Sequence, residues 1–85
     1  MEYKWNPITD EMRKTLDGAP PIGCTVWISY IDQYGNVDVL FARLETDDFR
    51  EFNWCYAFSG NVIASIEDDC VTAWKYVDVP KPYAN

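Results

Sequence analysis

From Cys24 onward the apolar residues recur at every second position, and only a few residues separate one such stretch from the next. Cys24, Val26, Ile28 and Tyr30 alternate with Thr25, Trp27, Ser29 and Ile31, the period of a strand with one face turned to a core. Asp32-Gln33-Tyr34-Gly35-Asn36 carries turn residues, and Val37, Val39 and Phe41 then resume the alternation, which predicts a hairpin. Phe52, Trp54, Tyr56 and Phe58 alternate with Asn53, Cys55, Ala57 and Ser59 as a third strand whose first face is wholly aromatic. After a Ser59-Gly60-Asn61 turn, Val62, Ala64 and Ile66 form a fourth, and Cys70 to Val77 a fifth. Parallel pairing needs crossovers of about a dozen residues or more, which these gaps do not supply, so an antiparallel meander is expected.

The segment Ile8 to Gly18 reads as a short helix, with Thr9 as N-cap, acids in its first turn, bases later and Gly18 at its end. Ile8, Met12 and Leu16 share one face, which lays that face on the sheet. Ala19-Pro20-Pro21-Ile22-Gly23 then imposes an extended connection. The expectation is an α+β fold, a short N-terminal helix packed on a roughly five-stranded, mainly antiparallel meander sheet. One domain spans 1–85: an arm and helix over 1–23, the sheet over 24–77 and an extended tail over 78–85. A chain of 85 residues buries only about 60% of its unfolded surface, so large side chains must fill the core. Its 4 Trp, 6 Tyr and 4 Phe are suited to that, and Trp54, Tyr56 and Phe58 read as core.

Chemistry is harder to find. With no histidine, no nucleophile motif and no phosphate-cradling glycine loop, nothing pairs a reactive group with a base, and the protein reads as non-enzymatic. Cys24, Cys55 and Cys70 form no CxxC pair and read as small buried thiols in strands, so neither a metal nor a cofactor is expected. The odd cysteine count, the lack of a signal-peptide pattern and the lack of an apolar run of about 18 residues read as a cytoplasmic protein without a membrane association.

Fourteen acidic against seven basic residues give a net charge of -7, which disfavours direct nucleic-acid binding and favours a basic protein partner. The acids cluster as Glu45, Asp47, Asp48 and Glu51 in one loop and Glu67, Asp68 and Asp69 in another. Brought together they would resemble a row of phosphates fit for a basic groove; apart, they are two solvated loops that keep the chain soluble. Trp27, Tyr34 and Tyr83 are the candidates for exposed aromatic anchors.

The chain's ends also carry a resemblance. Trp5-Asn6-Pro7-Ile8 at the start, Pro20-Pro21, Gly35-Asn36-Val37-Asp38-Val39, and Val71-Thr72-Ala73-Trp74 followed by Pro80-Lys81-Pro82 occur in an order similar to that of the short phage and prophage proteins grouped as Domain of Unknown Function 551. Two departures stand out: Ala73 replaces the family's usual His, and its Met-Pro-Leu-Pro is spread into Lys75 to Pro80. The resemblance implies a phage or prophage setting and no defined chemistry. In that setting the expected role is inhibition of a host defence protein, of anti-CRISPR or anti-restriction type, with a defence nuclease of the bacterial host as the basic partner. Two other readings stand beside it. One is a nucleotide-like ligand module with Arg43, Arg50 and Lys75 as cationic partners, and the other an accessory phage protein that assembles with itself through an open sheet edge.

Overall fold

The structure, a computed structural model, describes residues 3–78. It corrects the expected α+β architecture. Among the described residues are six strands and one helix of six residues, so the molecule is a small β-rich fold in which the helix forms no layer of its own. The strands are β1 (Asn6–Pro7), β2 (Val26–Ile31), β3 (Val37–Thr46), β4 (Phe52–Tyr56), β5 (Val62–Ser65) and β6 (Val71–Tyr76). All pair antiparallel in one sheet of order β1-β6-β2-β3-β4-β5. Only β2 to β5 form a meander; β6 returns beside β2, and Asn6 and Pro7 pair with Trp74 and Ala73 to make the strand that sequence reading missed. Two residues carry no periodicity, which is why β1 was invisible. Its register also places the opening and closing segments of the family-like pattern side by side, with the Ile8 N–H donating to the Thr72 carbonyl at 2.9 Å.

The helix α1 (Asp10–Thr15) begins as expected, the Thr9 Oγ1 accepting from the Met12 N–H at 3.1 Å. It stops before Gly18 because Leu16 takes the left-handed cap conformation, φ 64°, and donates its N–H to the Met12 carbonyl. Met12 is buried and Ile8 and Leu16 pack against the core beside it. Gly18 lies in the next turn, where its carbonyl accepts from the Trp74 indole Nε1 at 3.0 Å and so ties the helix to β6.

β3 explains how one small sheet encloses a core. Its first half, Val37 to Ala42, pairs with β2, and its second, Ala42 to Thr46, pairs with β4. Ile66 donates to the Phe52 carbonyl beside the Thr46 end of β3, whereas the Cys70 carbonyl accepts from Ile31 beside the Val37 end. In a flat sheet those two sites would lie about 30 Å apart along the strands alone. Four residue steps reach at most about 14 Å. The sheet must therefore coil until opposite corners meet, and Val26, Ile28, Ala42, Leu44, Trp54, Ala64, Ile66, Val71 and Trp74 are buried within it together with Met12.

The aromatic run of β4 divides. Trp54 is 0% exposed, but the strand ends at Tyr56, whose N–H and carbonyl bond to Asn61 and Gly60, so Ala57 to Ser59 turn outward and Phe58 is 91% exposed. Tyr56 and Phe58 are thus not core. Cys55 is buried in β4, while Cys24 and Cys70 lie just outside the strands. Of the expected tail over 78–85 only Asp78 is among the described residues, and it is exposed; the rest, Tyr83 included, lies outside them.

Candidate functional site

The sheet's second face, opposite the core, carries side chains that water does not favour. Trp27 and Phe41 are paired across β2 and β3 on this outer face, their rings stacked with centroids 3.6 Å apart. Phe58 stands edge-on to Phe41 at 6.1 Å. With Val39 and Tyr56 these aromatics line an open, mainly apolar hollow of about 330 Å³. Lys75, opposite Trp27 on β6, sets its Nζ 5.4 Å from the Trp5 ring, which places a cation at the border of the group. Arg43 and Glu45 follow Phe41 along the same face, their nearest atoms 3.6 Å apart. Val37, Val39 and Val62 are exposed as well.

Of the three anchors singled out by sequence, Tyr83 lies outside the described residues and Trp27 belongs to this group, half-buried on Phe41. Tyr34 does not: it is 80% exposed at the tip of the β2–β3 hairpin, beyond the Ile31–Val37 pair. Phe41 and Phe58 were missed. The hairpin register that sets Phe41 opposite Trp27 was the available signal for the first; Phe58 was hidden because its alternation continues past the end of the strand.

The seven proposed acids occupy three places. Glu45 lies in β3, not in the loop, and faces Arg43 on the outer surface. Asp47 anchors its own loop, its Oδ1 accepting from the N–H groups of Phe49 and Glu51 and its Oδ2 from the Asn53 amide. Those bonds, that from Glu51 foremost, hold its carboxyl below the ordinary value of 3.8. Asp32 is lowered likewise, chiefly by the Asn36 N–H. Asp68 accepts from the Ser65 N–H, and Asp69 lies 3.7 Å from Arg13. Asp48, Glu51 and Glu67 make no ion pair among the described residues. Glu51 and Glu67 line one cleft, while Asp69 lines another, beside Tyr30 to Gln33 at the far hairpin. The Glu67-Asp68-Asp69 run is therefore strung between the two ends of the sheet.

The cations expected to converge do so in a different set. Arg43 and Lys75 stay on the outer face, and Arg50 joins Arg13 and Lys14 in the cleft with Glu51 and Glu67. Burial raises the thiols of Cys55 and Cys70, the opposite of what a nucleophile requires. Among the described residues no three His, Cys, Asp or Glu side chains group as metal ligands, and no helix is long and apolar enough to cross a membrane. No family model matches the chain, and no curated protein or solved structure does either.

Proposed function

We propose that this protein is a non-enzymatic interaction protein that docks the outer face of its sheet on a basic partner protein. The observation that carries the reading is the Trp27, Phe41 and Phe58 group, which leaves aromatic surface in water on a face that no layer of the described residues covers. Aromatic side chains are the commonest anchors of protein interfaces, and a rim of polar groups such as Arg43, Glu45 and Lys75 is the usual border of one. The net charge of -7 selects the partner's sign, since it steers a basic surface toward the protein and repels nucleic acid.

The resemblance to phage proteins makes the proposal narrower: the partner is a defence protein of a bacterial host, a nuclease whose nucleic-acid groove is occupied and blocked. Asp48, Glu51 and Glu67 are the acids that stand free for that groove, because Asp47 and Asp68 are engaged in their own loops and Asp69 faces Arg13.

The test is capture of partners from a bacterial lysate by wild type and by Phe58→Ser, washed at low and then high salt. A basic protein held by wild type, released by salt and depleted roughly tenfold or more by Phe58→Ser is the expected result. Equal retention by the variant would remove the outer face from the reading. A chain that sediments as a dimer, with Phe58→Ser monomeric, would assign that face to a second copy.

A further inference from the structure

The loops after β2 and β3 are built on one plan. In Asp32 to Asn36, the Asp32 Oδ1 accepts from the N–H groups of Tyr34 and Asn36 at 2.8 and 2.9 Å, and Gly35 donates to the Asp32 carbonyl at 3.1 Å. In Asp47 to Glu51, the Asp47 Oδ1 accepts from Phe49 and Glu51 at 2.8 and 2.9 Å, and Arg50 donates to the Asp47 carbonyl at 3.1 Å. The fourth residue of each is left-handed, φ 84° at Gly35 and 61° at Arg50. Glycine takes that conformation freely and arginine does not. The second loop thus holds a long cation where its twin has the residue that the backbone prefers, and such strain calls for a role in the side chain.

Packing does not supply that role, for Arg50 is exposed and makes no ion pair among the described residues. Its setting does. Arg50 lines a cleft of about 260 Å³ with Arg13, Lys14, Phe52, Ser65 and Ile66, so three of the chain's seven basic residues meet in one place on an acidic protein. Glu51 and Glu67 line the same cleft, yet neither lies within 4.0 Å of the Lys14 or Arg50 nitrogens. The Nε of Arg13 is buried with no hydrogen-bond partner among the described residues. Arg13 is paired with Asp10 at 3.0 Å and lies 3.7 Å from Asp69, which leaves Lys14 and Arg50 as the cleft's cations without an ion pair among the described residues.

We propose that this cleft binds a small phosphate monoester, with Lys14 and Arg50 on the phosphate and Phe52 against a compact organic body. A dianionic phosphate suits several cations at once, the Arg fork pairing two of its oxygens and Lys acting as a point charge. The volume falls below the roughly 300–1,000 Å³ of sites for drug-sized ligands, which limits the organic part to about one ring. The site lies between α1 and the β3–β4 loop, away from the outer face, and shares only Glu51 and Glu67 with the docking reading.

Phenyl phosphate titrated into the isotope-labelled full chain and followed by amide chemical shifts is the test. Saturable shifts centred on Arg50 to Phe52 and Ser65 to Glu67 are expected, with affinity falling roughly tenfold or more in Arg50→Gly and in Lys14→Gln. Arg50→Gly keeps the fold because glycine suits the turn, so lost binding reports the side chain. Phe58→Ser leaves this binding unchanged and separates it from protein docking. Shifts that never saturate, that map to the outer face, or that persist at full affinity in Arg50→Gly overturn the proposal.

Discussion

Exchanging the residues of the two twin loops measures the strain on which the cleft argument rests. A Cβ added at Gly35 meets no atom within 4 Å, so Gly35→Ala changes conformation and nothing else. An L residue held left-handed costs about 1–2 kcal/mol, and the stiffer unfolded chain returns about 0.4–1 kcal/mol of that. The net is a destabilisation of about 0.5–1 kcal/mol, which for a domain of this size lowers Tm by about 2–8 °C. Arg50→Gly runs the same sum backward, relieving the strain at φ 61° while loosening the unfolded chain, and stabilises by about 0.5–1 kcal/mol. Paired urea and thermal unfolding of the two variants and wild type read both signs. A neutral Gly35→Ala beside a destabilising Arg50→Gly would mean that the Arg50 side chain packs to advantage, and the argument from strain to ligand would fall.

Other perturbations follow from single contacts. Trp74→Phe removes the indole donor to the Gly18 carbonyl and should lower stability by about 0.5–1.5 kcal/mol in urea unfolding, because a part-buried hydrogen bond between the helix turn and β6 is lost. The carboxyls of Asp32 and Asp47 are lowered in the fold, so the stability they supply is complete above their ordinary value of 3.8 and is lost as pH falls through the lowered folded values. Asp47→Ala should flatten the acid limb of a stability-against-pH curve in that window and leave the curve's shape near neutrality unchanged. Phe58→Ser should keep Tm within the change expected of about 0.5 kcal/mol, since the ring is 91% exposed, and this separates its role in docking from any in folding.

Much of the sheet was legible because period-two patterns are local. The alternation of Val26 to Ile31 survives in the structure, as does the Asp32 to Asn36 hairpin loop, whereas that of Val62 to Ser65 is broken by a register shift that leaves Val62 exposed and Ala64 buried. What was not legible is non-local. Nothing in the sequence announces that β6 returns to β2, that two residues near the start form an edge strand, or that β3 serves two halves of a coiled sheet. The helix ended early because Leu16 accepted a left-handed cap, a choice usually made by glycine. Phe58 was read as core because its alternation runs on past the residue where Tyr56 turns the chain. For function, charge and composition separated the acids from the cations, but only the fold shows Arg13, Lys14 and Arg50 meeting between acidic loops.

Amide hydrogen exchange of the protein alone and in complex with the captured basic partner tests the docking claim most directly. The account predicts slowed exchange over the turn from Ala57 to Ser59 and along the β3 backbone near Phe41, with the β2–β3 tip at Tyr34 unchanged. Protection confined to the acidic loops at Asp48, Glu51 and Glu67, with the turn at Phe58 exchanging as in the free protein, would contradict it.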